Sequence, residues 1–313
     1  MRATVVVCTR NRRALLVDCL ASLDGSDDVV VVDNGSTDGT ASWLARWAAE
    51  DPTRRQVVTE PVAGLSRARN AGVDAATGDI VLFLDDDALA PAGWVAGHMA
   101  VYAQAPATAA VGGPVVLTWP DGRPRWLTGE LEHWFSALDH GAEPRPFPPP
   151  HGPYGTNMSV RREVLLAIGG FDEQLGRRGR SLLSSEEAEL WQRLWAAGHP
   201  IVYQPATKIQ HRVAAARLRR SWVLRRGWGQ GRSNARLQTM GWNGQATRGQ
   251  LAATCRVEAG FAVRFARQTL RSLARLDQPA VVDEAARCAG HTSAVAEHLW
   301  LWASPRSWCG NPR

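Results

Sequence analysis

Three consecutive acids, Asp85-Asp86-Asp87, end the apolar run Ile80-Val81-Leu82-Phe83-Leu84. Carboxylates this close repel one another unless a cation or hydrogen-bond donors neutralise them. A hard divalent ion, Mg²⁺ or Mn²⁺, suits such a set of oxygen ligands. The other reading is a helix start, since Pro91 and Gly93-Trp94 follow and acids favour helix N-termini. A second acidic pair, Glu186-Glu187, follows Ser184-Ser185, where serine at the N-cap and acids in the first turn account for the residues as helix capping. Ahead of it, Gly176-Arg177-Arg178-Gly179-Arg180-Ser181 reads as a basic, glycine-rich loop. Trp119, Trp126, Trp134 and Phe135 lie in an irregular stretch, residues 118–152, with a proline-rich end. Loops of this length are functional or disordered. The aromatics suit either packing against the apolar faces of sugars or anchoring in a core.

The elements that must position these residues are legible as apolar runs. Residues 4–8, 29–32, 57–59 and 80–84 are β-branched and apolar without alternation, the mark of strands buried on both faces. Helical periodicity falls between them, at about residues 13–23, 40–49 and 64–78. Alternating strands and helices predict an α/β fold with a parallel sheet, and right-handed crossovers bring all the strand ends to one side. Thr9, Asp33 and Asp85 to Asp87 are therefore expected to line one crevice, the place where open α/β sheets bind ligands. Further strands are predicted at 110–117, 154–160, 201–203 and 208–211, with helices at 94–104, 161–168 and from 186. Beyond residue 217 the pattern is helical and very basic, with Gly227, Gly229 and Gly231 interrupting it. Two amphipathic helices follow, at 250–275 and 280–302. The predicted organisation is residues 1–117 and 118–212 as two halves of one α/β domain, and 213–313 as a basic helical extension.

A chain of 313 residues can bury a substantial core. Its net charge is +6, its basic residues are almost all arginine, and Lys208 is its single lysine. The five cysteines are widely spaced and form no CxxC pair, which argues against a zinc site and for reduced thiols in a cytoplasmic protein. No basic-apolar leader precedes the first strand, and no run reaches the ~18 apolar residues of a membrane span, so the expectation is a soluble or peripheral protein.

Six separated pieces together carry a resemblance. They are Val6-Val7-Cys8-Thr9-Arg10-Asn11; residues 32–40, VDNGSTDGT; residues 64–72, GLSRARNAG; Phe83-Leu84-Asp85-Asp86-Asp87; Gly155-Thr156-Asn157-Met158-Ser159 through Gly169-Gly170-Phe171-Asp172; and Ser185-Glu186-Glu187-Ala188-Glu189-Leu190. In this order they resemble the inverting nucleotide-sugar glycosyltransferases of family 2, over about residues 1–240. The resemblance implies the GT-A fold, a Rossmann-like, mostly parallel sheet flanked by helices, and a nucleotide-diphosphate sugar as donor. It further implies that Thr9, Arg10 and Asn11 border the nucleotide and that Asp33 holds the base. Arg69 and Asn70 would lie near the ribose and diphosphate. Asp85 and Asp87 match the DxD pair that meets Mg²⁺ or Mn²⁺ and the donor, with Asp86 between them on the donor side. His211 matches a third metal ligand of some relatives. Glu187 matches the catalytic base, with Glu186 as the alternative; the family usually carries Asp here. Acceptor or lid contacts would come from Trp126, Trp134, Asn157, Arg180 and Trp191, and the loop 176–187 would order as a lid on donor binding.

Two other functions compete. A sugar-phosphate nucleotidyltransferase would carry a glycine-rich phosphate loop after the first strand, and Thr9-Arg10-Asn11-Arg12 has no glycine. A non-catalytic nucleotide-sugar-binding module would be expected to lose the acids. The acceptor could be a carbohydrate, a lipid-linked glycan or a small metabolite. The arginine-rich C-terminal region, with Trp222 and Trp228, suggests an anionic acceptor or the inner face of an acidic membrane rather than nucleic acid.

Overall fold

The computed structural model describes residues 1–25, 27–179, 181–240, 247–275 and 277–303. The chain forms two compact units. The first comprises Met1–Gly122, Phe135–Arg180 and Glu186–Val213, and the second Arg123–Trp134, Ser181–Ser185 and the C-terminal region from Ala214.

The first unit opens as a regular alternation: β1 (Ala3–Thr9), α1 (Arg13–Ala21), β2 (Val29–Asp33), α2 (Thr40–Glu50), β3 (Arg55–Thr59), α3 (Leu65–Ala75) and β4 (Ile80–Asp85). These strands are mutually parallel in the order β3-β2-β1-β4. Their residues alternate between two cores. Val5, Val7, Leu82 and Leu84 enter one with Trp94 and Tyr102, while Val6, Val81 and Phe83 enter the other with Met158, Trp191 and Tyr203. Both faces are thus apolar, which is why the sequence shows unbroken hydrophobic runs.

After β5 (Ala88–Leu89) and α4 (Trp94–Gln104) the pattern changes. The run expected as one strand at 110–117 is two, β6 (Ala110–Gly112) and β7 (Val115–Thr118), in different sheets. Pro114 has no N–H for a ladder. Gly113 has no room for a side chain, since a Cβ there would overlap Thr207 Oγ1. β8 (Arg145–Pro146) is a short edge, and β9 (Asn157–Arg161) lies antiparallel between β4 and β6. α5 (Arg162–Ala167), α6 (Glu186–Ala196) and β10 (Ile201–Tyr203) follow. The eight-stranded sheet is therefore mixed, ending β9-β6-β10-β8. β11 (Ile209–Arg212) joins β5 and β7 in a small second sheet.

The second unit is built on α7 (Arg220–Met240), α8 (Arg248–Ala274) and α9 (Gln278–Ala303). Gly227, Gly229 and Gly231 do not interrupt α7, contrary to the sequence reading. All three are buried. A Cβ at Gly231 would overlap Gly290 O, and one at Gly227 would overlap Ala286 O, so the glycines let α7 and α9 approach backbone to backbone. Of the two tryptophans among the basic residues of this region, Trp222 is buried and Trp228 is exposed. The residues 241–246, where the sequence suggested a break between helices, lie outside the described residues.

Gly231→Ala is expected to destabilise the chain by about 1–3 kcal/mol through overpacking at this contact. Gly25→Ala, at a position with open space around it, serves as the control. Urea unfolding monitored by circular dichroism measures both, and an unchanged midpoint for Gly231→Ala would contradict the close approach.

Candidate functional site

Strand register brings the first three candidates level. Thr9 pairs with Asp33 across β1 and β2, and Cys8 pairs with Asp85 across β1 and β4. Asp33 is buried, and its Oδ1 accepts from the Ser36 backbone N–H at 2.9 Å. Beside it Asn34 clasps the next loop. Its amide donates to Glu60 O and Val62 O, and its Oδ1 accepts from Gly64 N at 2.9 Å. Asn11 is exposed, with φ +54°, and its Oδ1 accepts from Thr37 N at 2.6 Å. Arg10 is exposed.

The three acids at the end of β4 have different surroundings. Asp86 and Asp87 are buried, while Asp85 is partly exposed. Thr9 Oγ1 donates to Asp86 Oδ2 at 2.8 Å, and Arg12 Nη1 reaches both Asp86 Oδ1 and Asp87 Oδ2 at 2.9 Å. Burial lifts the Asp86 carboxyl to about 6, against the pull of Arg12 and with the push of Asp87. Asp86 is thus engaged by the protein on both oxygens. Arg12 was not singled out from sequence, where it is one of several arginines after a strand; only the fold shows that it turns back on the acids.

His211 is delivered by the small sheet. It pairs with Ala88 in the β11–β5 ladder, which sets its Nε2 3.2 Å from Asp87 Oδ1. The Arg212 N–H donates to Asp87 O at 2.8 Å and fixes that register. His211 Nδ1 lies 2.8 Å from Phe135 O, a carbonyl that can only accept, so Nδ1 carries the proton. In a neutral ring Nε2 then presents a lone pair to a carboxylate oxygen. Two acceptors at this distance need a proton or a cation between them, and a ring held by its other nitrogen is the usual arrangement of a metal-binding histidine. Among the described residues no group of three or more His, Cys, Asp or Glu side chains could hold a metal ion by itself. Asp87 and His211 offer two ligands. These two side chains would fit a hard divalent cation that takes its other ligands from outside the chain.

Arg69, on α3, connects this edge to the second acidic pair. Its side chain is 2% exposed, and its guanidinium lies over the Phe171 ring, 5.4 Å from the centroid. Nη1 lies 3.1 Å from Glu186 Oε1 and 3.2 Å from Glu187 Oε1, and Nη2 lies 3.6 Å from Asp85 Oδ1. Burial works against its charge, but Glu187, Glu186 and Asp85 together raise its pKa above the ordinary arginine value. Glu187 Oε1 also accepts from Gly155 N at 3.1 Å. Gly155 must be glycine, since a Cβ would overlap both Arg69 Nη2 and Glu187 Oε1. Glu186 is buried, and its Oε2 has no hydrogen-bond partner among the described residues. Burial, then the charge of Glu187, raise its carboxyl to about 7, with Arg69 opposing. The basic loop before α6 is tied to the start of α3: Leu65 N donates to Arg177 O at 3.0 Å, and Ser66 Oγ donates to Leu175 O at 2.9 Å.

Several sequence candidates serve the scaffold instead. Asn70 is not turned to a ligand; its amide pairs with the Phe171 backbone in both directions, at 2.8 and 2.9 Å. Asn157 is fully buried. Its Oδ1 accepts from Trp94 Nε1 and His98 Nε2, and its Nδ2 donates to Pro114 O and Thr207 O, which leaves nothing for an acceptor substrate. Trp191 is a core residue with its indole N–H on Pro153 O at 2.9 Å. Trp126 and Trp134 belong to the second unit, where Trp134 packs against Gly227 of α7. Arg180 lies outside the described residues. Cys8 and Cys19 are free thiols whose pKa values burial raises, Cys8 to about 12, which makes them poor nucleophiles. Cys309 lies outside the described residues.

Residues 4–169 match the family model described as Glycosyl transferase family 2. The chain is 30% identical over 171 residues to a glucosyl-dolichyl phosphate glucuronosyltransferase of Haloferax volcanii, covering 54% of each chain. It is also 30% identical over 228 residues to a pre-mycofactocin glycosyltransferase of Mycobacterium tuberculosis, covering 71% of this chain and 45% of the relative. The matched regions span about half the length of these two relatives. Among solved structures, the mannosyltransferase PcManGT from Pyrobaculum calidifontis, in complex with GDP-Man and Mn²⁺, aligns with a TM-score of 0.54 at 22% identity, over 99% of this chain and 76% of the other. That likeness is one of fold, and the fold is GT-A.

The raised Glu186 carboxyl has a consequence for stability. An unfolded glutamate releases its proton near 4.5, whereas the folded one keeps it to about 7. The folded state therefore holds the extra proton between those values, and this group's contribution makes stability fall as pH rises through that window and level off above it. Glu186→Gln is expected to flatten that fall in the melting temperature measured across the same pH range. An unchanged slope would contradict the burial of an ionisable Glu186.

Proposed function

The chain belongs to glycosyl transferase family 2, and from that membership we propose that it transfers a sugar from a nucleotide-diphosphate donor to an acceptor hydroxyl by a single, inverting displacement. The observation that carries this reading is the linkage of Asp85 and Glu187 through Arg69. One guanidinium spans from the acid beside the expected diphosphate to the acid expected to take the acceptor's proton.

In this reading Glu187 is the general base. Its Oε1 is held by Gly155 N and Arg69, and its Oε2 has no hydrogen bond among the described residues, so one oxygen is fixed and the other is available for the acceptor hydroxyl. Glu186, buried and raised to about 7 by that burial, faces Arg69 and stands behind the base rather than at the acceptor. Asp33, with one oxygen on the Ser36 N–H, would accept from the nucleotide base. Thr9, Arg10 and Asn11 would border it. Asp85, Asp87 and His211 would hold Mg²⁺ or Mn²⁺, which when bound supplies charge stabilisation to the departing diphosphate. Arg177 and Arg178 stand in the loop tied to α3 and would add positive charge on that side. Direct displacement with one base inverts the anomeric centre, since no covalent intermediate is formed. The acceptor class is a carbohydrate, lipid-linked glycan or small metabolite hydroxyl.

A panel of nucleotide sugars with Mn²⁺, scored for binding and for slow hydrolysis without acceptor, identifies the donor. Once a donor–acceptor pair is found, Glu187→Gln is expected to lower transfer by about 10²–10⁴-fold while donor affinity stays within a few-fold, because the amide keeps the Gly155 contact but cannot take a proton. Undiminished transfer by that variant would overturn Glu187 as the base, and failure of every donor to bind would overturn the transferase reading.

A further inference from the structure

The long helix α8 packs along α9 with one face. Glu258 Oε2 lies 2.6 Å from His291 Nδ1, Cys288 Sγ approaches Ala262 O at 3.5 Å, and Phe265 stacks on His291. The opposite face is exposed and carries a second pattern. Ala259, Val263, Ala266, Leu270 and Leu273 recur at spacings of four and three, the repeat of one continuous helical stripe. All are exposed, Val263 at 52% and Leu270 at 66%. Beside this stripe on the wheel, at about 100° per residue, fall Arg256 and Arg267, and Arg271, Arg264 and Arg275 continue the same band further round, all exposed. No ion pair engages these arginines among the described residues. Glu258, the one acid between positions 248 and 275, is turned inward to His291.

An aliphatic stripe bordered by an unneutralised arginine stripe limits what can cover it. A second copy of the chain would bring two arginine rows together with no acid to separate them. A single-stranded nucleic acid would use aromatic side chains for stacking, and a duplex held at its phosphates would leave the aliphatic stripe in water. An anionic bilayer answers both rows at once, taking the aliphatic side chains below its headgroups and the guanidiniums at them. Among the described residues no helix is long and apolar enough to cross a membrane, so the contact is one of lying on the surface. We propose that the outward face of α8 docks the protein on an acidic lipid surface through the Val263–Leu270–Leu273 stripe and its flanking arginines. This narrows the contact expected of the arginine-rich C-terminal region to α8, with Trp222 buried and outside it, and it stands independently of the transfer reading.

The test is co-sedimentation of the full chain with vesicles of phosphatidylcholine alone and of phosphatidylcholine with phosphatidylglycerol. Binding to the anionic vesicles is expected, with little to the neutral ones and a decline as salt rises. Leu270→Asp is expected to weaken it about tenfold, the equivalent of one buried leucine. Arg267→Gln with Arg271→Gln is expected to weaken it on anionic vesicles alone. Both variants lie on the exposed face, and unchanged helical circular dichroism shows that they fold. Absence of binding at low salt, or binding that both variants leave intact, overturns the proposal. So does a dimer that Leu270→Asp dissociates, or binding to duplex DNA in place of vesicles.

Discussion

Arg69 is a buried cation that must be neutralised, and much of the first unit is arranged around that requirement. A lone guanidinium out of water is costly, and the fold surrounds this one with Asp85, Glu186 and Glu187. The acids come from two segments far apart in sequence, so the charge is satisfied only when β4, α3 and α6 are all in place. Gly155 completes the arrangement by leaving out a side chain where the guanidinium and Glu187 lie. Removing the arginine would leave three crowded carboxyl groups with no cation among them. The same contact thus supports the fold and fixes the distance between the donor edge and the expected base.

A second arrangement brings His211 to Asp87. It depends on the small sheet, in which β11 pairs with β5, and β5 begins one residue after Asp87. The carbonyl of Phe135 sets the ring's proton, and the ladder sets its distance. Arg12 and Thr9 hold the inner oxygens of Asp86 and Asp87 and keep the acid cluster compact without cancelling the Asp85 side, which faces Arg69.

The first half of the fold was readable because it is regular. Four apolar strands with polar ends, separated by helical periodicity, admit few topologies, and parallel register sets Thr9 level with Asp33 and Asp85 level with the neighbouring Cys8. The second half was less readable, for physical reasons. The antiparallel insertion of β9 depends on long-range pairing with β4 and β6, which local pattern does not encode. Asn157 and Trp191 looked like ligand contacts because polar and aromatic residues near a motif usually are. Their partners, Trp94, His98 and Pro153, are distant in sequence and became visible only in the packed core. The α7 glycines look like breaks until α9 lies against them. Arg12 is unremarkable in an arginine-rich chain until its guanidinium is seen between two buried carboxylates. The network at Arg69 was half legible: its motif and the Glu186-Glu187 pair were both recognised, but not that they meet.

The central claim is that the acidic pair and Arg69 form one charge unit. Its most direct measurement is the unfolding free energy of Arg69→Met, compared with the same substitution combined with Glu186→Gln and Glu187→Gln. Removing one member of a buried ion network costs about 3–5 kcal/mol, largely from the charges left behind. The single substitution is expected to be strongly destabilising, and the two glutamines to recover much of the loss. Additive losses, with the triple variant less stable than Arg69→Met, would contradict it.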